Sequence, residues 1–353
     1  MGVFQSKKSL VGLDIGSEVI KVAQINESKD GYELVDFGML RLPPEGDFSN
    51  RGEHAEEIAK HIRDLLDNLK IRNKLVATSI SGYSVIVKQL SLPYPTKKDL
   101  MANIQWEAEQ HIPFGVQDVT LDVQVVGQAK DNPESTDVIL VAAKNDVVQS
   151  TIYLLNLAKL TAGVIDLDLF ALANSYEINY PYEEGCVALI DIGASQLKIN
   201  VVRDGISIFT REVSQAGKII SQRIQSKFMV TPAEAEQAKL SGKAPKDGSV
   251  DALKKIFEDA ATVWALEIKR AFDFVFSSTR GVAISKVYVS GGSALLPGFT
   301  SFLQDKISVE VELLDPFANI SYDPKKIDPE YLKAVGPQAA VCVGLALRKV
   351  GDS

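Results

Sequence analysis

One segment of this 353-residue chain occurs twice, and the repeat limits the fold more than any other feature. Near the start runs Val11-Gly-Leu-Asp14-Ile15-Gly16-Ser17-Glu-Val-Ile-Lys21, and past the midpoint runs Ala188-Leu-Ile-Asp191-Ile192-Gly193-Ala194-Ser195-Gln-Leu-Lys198. Both copies carry Asp-Ile-Gly, with a lysine seven positions after the aspartate. An apolar run, a small polar turn and then alternation is the pattern of a β-hairpin. The aspartate and glycine fall where the first strand ends. An aspartate there can hold a cation through water, and glycine and serine let backbone N–H groups approach phosphate oxygens with no Cβ in the way. A single Asp-x-Gly would read as an ordinary hairpin turn. Two copies with matched flanks weigh toward the phosphate reading, and two such turns facing each other would grip a polyphosphate. A duplication kept for structure alone would explain the strands but not the polar chemistry retained in both turns.

A chain of this length predicts two lobes of ordinary domain size. With 46% hydrophobic and 24% charged residues, it is expected to fold throughout. A net charge of -8 and the lack of a long Lys/Arg block argue against sequence-independent nucleic-acid binding, while one locally positive pocket stays compatible with a nucleotide. Cys186 and Cys342 lie in apolar surroundings and are expected to be reduced core thiols. No stretch approaches the roughly 20 apolar residues of a membrane span, and no cleavable apolar signal opens the chain, so a cytoplasmic location without membrane insertion is expected.

A third glycine-bearing segment, Val287-Tyr-Val-Ser290-Gly291-Gly292-Ser293-Ala-Leu-Leu-Pro297, reads as a strand ending in a Gly pair and opening a helix. The bare pair would let a flat ligand approach the backbone. Between the repeats, a helix is expected over 55–69 and strands over 75–80 and 85–90. Thr96-Lys-Lys-Asp99 reads as a helix N-cap, with the helix stopped by Pro113. Strands over 119–126 and 138–143, flanking a loop at Asn132-Pro-Glu-Ser, and a helix over 147–160 follow. Beyond the second turn come a polar helical stretch, a Ser241–Gly248 loop, a long helix through Trp264, Ile268, Phe272 and Phe276, and a small-residue helix from Val335 to Leu347.

Taken together, the two turns and the Gly291-Gly292 segment resemble the phosphate-1, phosphate-2 and adenosine motifs of the actin, Hsp70 and sugar-kinase superfamily. That resemblance implies an α/β, actin-like two-lobe fold around a nucleotide cleft, with ATP and Mg2+ as ligands. It places Asp14 and Asp191 near Mg2+ through water, Gly16, Ser17 and Lys21 at the phosphates, and Gly193, Ala194 and Ser195 in the facing loop. Gly291, Gly292 and Ser293 would border the adenosine. Ala-Glu236-x-x-Lys239 resembles the ribose- and base-contacting helix of the cell-division protein FtsA, although a solvated helical face with an i, i+3 ion pair reads nearly as well there. The water-orienting residue would come from the segment linking the lobes, where Asp168 aligns first and Asp166 second; a helix-capping role is the alternative. Either aspartate would be one methylene short of the usual Glu or Gln, so slow hydrolysis at most is expected.

The string Ile104-Gln-Trp106-Glu-Ala-Glu-Gln-His111-Ile112-Pro113-Phe114 resembles a hallmark of the PilM family of type IV pilus assembly proteins, as does the entry Gly2-Val-Phe4. By residue type alone, Trp106 reads as a half-buried core or interface residue and His111 as a surface residue. Resemblance to PilM implies a first-lobe core over 1–87, 164–185 and 335–353, an inserted subdomain over 88–163, a second-lobe core over 186–215 and 262–334, and a lid over 216–261. It also implies an adaptor at the inner membrane that docks the cytoplasmic N-terminus of a PilN-like bitopic protein, with 106–114 as a candidate groove wall. Pilus motor ATPases and further copies of the chain are additional candidate partners. The competing expectations are an FtsA- or MreB-like filament former, disfavoured by the insert and by the missing amphipathic tail, and a small-molecule kinase of the same superfamily.

Overall fold

The computed structural model describes residues 9–29, 31–94, 96–129, 132–245, 248–279 and 281–352. The entry motif at 2–4 lies outside these residues. The first lobe begins with strands β1 (Val11–Ile15), β2 (Val19–Ser28) and β3 (Gly31–Arg41), helix α1 (Ala55–Asn68) and β4 (Leu75–Ile80). An insert follows: β5 (Val85–Leu92), α2 (Lys97–His111), β6 (Val119–Ala129) and β7 (Asn132–Lys144). Helix α3 (Asn145–Leu157), β8 (Thr161–Leu167) and α4 (Asp168–Asn179) return to the first lobe. The second lobe comprises β9 (Cys186–Ile192), β10 (Leu197–Arg203), β11 (Ile206–Val213), α5 (Lys218–Phe228), α6 (Pro232–Ser241), α7 (Val250–Ser278), β12 (Ile284–Ser290), α8 (Phe299–Ile307) and β13 (Glu310–Leu313). The chain closes with β14 (Ile320–Tyr322), α9 (Pro329–Val335) and α10 (Ala340–Ala346).

The duplication extends to whole sheets. The first lobe orders its strands β14-β3-β2-β1-β4-β8 and the second β11-β10-β9-β12-β13. Apart from β14, both follow one plan, an antiparallel meander of three strands continued by two parallel strands. Crossover connections of parallel strands put helices on the sheet faces, which is why β1 and β9 are buried along their whole length. This mixed α/β, two-lobe architecture is the actin-like fold expected above.

Several boundaries move. Helix α3 shares its core with α1, β1 and β2 through Leu154, Leu155 and Ala158, so the insert is the three-stranded sheet β5-β7-β6 and α2. Apolar periodicity locates such a helix but does not tell which sheet it covers. Strand β14 pairs with β3, carrying that stretch into the first lobe. Helix α7 runs unbroken across the expected lid boundary at 261. Strand β7 starts at Asn132, which pairs with Ala129 of β6, and a register shift separates that pair from Gln128 and Thr136. After β12 the backbone first makes a 3-10 turn over Gly292–Leu295, and α8 begins only at Phe299.

Thr96 caps α2 through the Asp99 backbone N–H, as its sequence requires. Small residues on α10 permit very close packing. A Cβ on Gly344 would lie 1.7 Å from the Ala171 carbonyl oxygen of α4, and one on Gly12 of β1 would lie 2.4 Å from the Cys342 carbonyl oxygen. Helix α10 is thereby wedged between β1 and α4, and Cys186 and Cys342 are free buried thiols. Among the described residues, no helix is long and apolar enough to cross a membrane.

Candidate functional site

Each copy of the repeat builds the same turn. In the first, Asp14 lies opposite Lys21 and the Gly16 N–H donates to the Val19 carbonyl at 3.1 Å. In the second, Asp191 lies opposite Lys198 and the Gly193 N–H donates to the Gln196 carbonyl at 3.0 Å. The seven-residue spacing is therefore a register: a four-residue turn places the lysine directly across the ladder from the aspartate. The turns come from opposite lobes and meet, the Ser17 and Ser195 hydroxyls lying 2.6 Å apart. Ser49 approaches Ser195 at 3.1 Å.

Beneath the meeting point lies a cavity of about 600 Å3, within the range of roughly 300–1,000 Å3 typical of small-molecule sites. Its lining includes Asp14, Gly16, Ser17, Lys21, Asp168, Asp191, Gly193, Ala194, Ser195, Glu236, Lys239, Gly291, Gly292 and Ser293. The structure thus gathers every expected site residue except Asp166. That aspartate is the last but one residue of β8 and points elsewhere, 3.3 Å from the Arg348 guanidinium and accepting from the Leu167 N–H, so it has no place in the cleft. Sequence reasoning also left out Lys198, Glu18, Arg41, Arg51 and Gln338, which line the cavity too.

The third segment braces the second turn. Gly291 has φ +87°, and a Cβ there would meet the Ile192 carbonyl oxygen at 2.5 Å, so only glycine lets the end of β12 press onto β9. Ser290 donates to Asp191 Oδ1 at 3.2 Å, and Ser293 donates to the Gly193 carbonyl at 3.2 Å. Thr231 and Glu234 form a reciprocal capping box that starts α6, and Glu236 and Lys239 of that helix line the cavity. Glu236 accepts from Ser221 at 2.8 Å and Lys239 at 2.7 Å, and from Arg41 of the first lobe at 2.9 Å. Lys239 also reaches Glu18 at 3.6 Å. A solvated i, i+3 pair does not describe Glu236 and Lys239, since both are buried between the lobes.

Charge in the cleft is balanced: Asp14, Glu18, Asp168, Asp191 and Glu236 face Lys21, Arg41, Arg51, Lys198 and Lys239. Lys21 contacts Asp14 at 2.6 Å; burial alone would lower its pKa, but the Asp14 carboxylate carries it above its ordinary value. Burial pushes the Asp191 carboxyl up against the pull of Lys198 and Lys21. Asp168 opens α4 and is in direct contact with Lys198. Burial would raise Asp168, yet the Lys198 ammonium wins and holds it down at about 2. For magnesium, the donor set offers no cage: Asp14 already carries Lys21, and Asp191 has Lys198 at 3.8 Å. Among the described residues, no three His, Cys, Asp or Glu side chains converge on one point. Magnesium fits only as an ion brought in by a phosphate ligand and reached from Asp14 and Asp191 through water.

Comparison with known proteins agrees with this architecture. The chain is 28% identical over 187 residues to the cell division protein FtsA of Bacillus subtilis (strain 168), a match covering 47% of this chain and 41% of that one. It therefore spans about two fifths of the length of that relative. Among solved structures, the ethanolamine utilization protein EutJ from Carboxydothermus hydrogenoformans shares the fold at TM-score 0.56 and 15% identity, over 98% of this chain and 91% of that one. A chain of a PilM-PilN type IV pilus biogenesis complex superposes at TM-score 0.83 and 25% identity, over 98% of this chain and 100% of that one. The model of the type IV pilus assembly protein PilM matches residues 12–350, and with nearly the whole length accounted for, the chain belongs to the PilM family.

Proposed function

We propose that the protein is an ATP-binding adaptor in the assembly of a type IV pilus, or of a related secretion machine, and that it docks the cytoplasmic N-terminal segment of a PilN-like membrane protein. One observation carries the nucleotide half: two Asp-Ile-Gly turns of identical register meet from opposite lobes over one cavity. Gly16, Ser17, Lys21 and the facing Gly193, Ala194 and Ser195 would hold the phosphates through N–H, hydroxyl and ammonium groups. Glu236 and Lys239 would take the ribose and base side, with Gly291, Gly292 and Ser293 bordering the adenosine. Magnesium, arriving with the phosphates, supplies charge neutralisation.

The partner half rests on the likeness to a PilM solved with PilN and on a half-buried apolar seam between insert and first lobe. Ile80, Ala143 and Leu167 form its floor, with Val85, Val87, Val141 and Phe170 packed against them, a surface of the kind an extended or helical peptide covers. Trp106 is 60% exposed on the far face of α2, whereas Ile104, Ala108 and Ile112 of the same string are core, so the groove wall would lie at the seam. In this reading the protein works in the cytoplasm, beside the inner membrane through its partner.

Titration with a fluorescent ATP analogue tests the cleft. Gly193→Ala fits the free protein, its Cβ lying 3.4 Å from the Gln196 carbonyl oxygen, but puts a methyl group where the turn must approach phosphate. ATP affinity is expected to fall at least tenfold with the melting temperature unchanged, and equal binding by variant and wild type refutes the cradle. A synthetic N-terminal peptide of the cognate PilN-like protein should be captured by the wild type; no capture with or without ATP overturns the adaptor half.

A further inference from the structure

The two repeat lysines occupy matching positions but do different things. Lys21 holds the aspartate of its own turn at 2.6 Å. Lys198 stays 3.8 Å from Asp191, the partner its register offers, and makes its close contact with Asp168 instead. Asp168 comes from the segment that joins the lobes, and its side chain is 6% exposed, that of Lys198 12%. Both line the cavity. The second carboxylate of that segment, Asp166, faces Arg348 outside the cleft, so Asp168 is the carboxylate there that reaches the ligand side.

We propose that Lys198 is a built-in restraint on Asp168, making the cleft a site that holds a nucleoside triphosphate without splitting it. The inference rests on the nucleotide reading above. A carboxylate that orients and deprotonates water needs a free lone pair and some proton affinity. The contacting ammonium ion occupies Oδ2 and lowers the proton affinity of the group, Oδ1 is enclosed without a hydrogen-bond partner, and a carboxylate held in this way cannot swing toward a γ-phosphate. The bound triphosphate then acts as a structural ligand that ties the lobes together through the two turns, and its presence, not its turnover, sets the state of the protein.

Replacing Lys198 by methionine keeps the buried stem and removes the charge. Asp168 then stands beside the Asp191 carboxylate with the Arg51 charge remaining but the contacting Lys198 charge gone, and its affinity for a proton rises. Water attacks the γ-phosphorus, the bond to the β–γ bridging oxygen breaks with its electron pair on ADP, and the water proton passes to the Asp168 carboxylate and on to solvent. ATP and water give ADP and inorganic phosphate.

The experiment compares full-length wild type, Lys198→Met, Lys198→Gln, Asp168→Asn and the Lys198→Met/Asp168→Asn pair. ATP binding and phosphate release under enzyme excess are measured separately, with circular dichroism melts as the folding control. Wild type is expected to bind ATP and to release phosphate only at a background rate. Either lysine variant should release it at least tenfold faster, and the double variant should return to background. A lysine variant that folds and binds ATP without faster release overturns the restraint. So does wild-type release that Asp168→Asn abolishes, a comparison that needs no lysine variant to fold. Failure of the wild type to bind ATP would strike the nucleotide reading itself, a result distinct from either.

Discussion

Gly344→Ala is the sharpest test of how the first lobe is assembled. The added methyl carbon would sit 1.7 Å from the Ala171 carbonyl oxygen, 2.5 Å from its carbonyl carbon and 3.1 Å from its Cα. All three are backbone atoms of α4, so no side chain can swing aside. Restoring ordinary contact requires the helices to part by roughly 1.5 Å, which a close-packed core resists. Overpacking by a methylene costs typically 1–3 kcal/mol, and with a rigid neighbour the upper end applies, about 3 kcal/mol. That is a large part of a stability on the order of 5–15 kcal/mol. For domains of this size it lowers the melting temperature by roughly 6–12 °C. Urea and thermal melts followed by circular dichroism read the effect, with Gly336→Ala as control, since a Cβ there meets nothing nearer than 3.6 Å. A Gly344→Ala protein within about 0.5 kcal/mol of wild type would refute the packing argument for α10. Because Asp168 opens α4, the parted helices should also weaken ATP binding.

Two further outcomes follow. The Asp168 pKa is depressed from 3.8 to about 2 on folding, so its ionised form stabilises the fold above about pH 4, and that stability is lost as pH falls through the folded value. The difference in unfolding free energy between wild type and Asp168→Asn should be about 2 kcal/mol larger at pH 6 than at pH 2; a difference independent of pH contradicts the ion pair. Trp106→Ala removes a side chain 60% exposed on α2, so stability should stay within about 0.5 kcal/mol of wild type, and PilN-peptide capture should persist. A loss of capture would move the partner surface from the seam to α2.

How far the sequence disclosed the site depends on the range of each interaction. The hairpins were legible because alternation, turn glycines and a seven-residue offset are local, and a doubled local pattern fixes both turns. The meeting of Ser17 with Ser195 followed only from the superfamily resemblance, since nothing within either segment points across 178 positions. The role of Lys198 was hidden for the same reason: its register partner is Asp191, and only the packing of α4 against the second sheet brings Asp168 closer. Arg41 and Glu18 carry no motif and acquire a role only when α6 folds over them. Strand β14 has three residues, too short for a period. The turn at Gly291 was read as a helix start because Ser and Pro mark helix ends, but its positive φ breaks the path first.

Amide hydrogen exchange with and without ATP tests the central claim most directly. The account predicts that peptides covering Asp14–Val19 and Asp191–Gln196 slow together, at the same ATP concentration, in wild type and less so in Gly193→Ala. Protection of only one turn, or protection confined to the neighbouring cavity lined by Pro43, Pro44 and Gln222, would contradict a triphosphate gripped from both lobes.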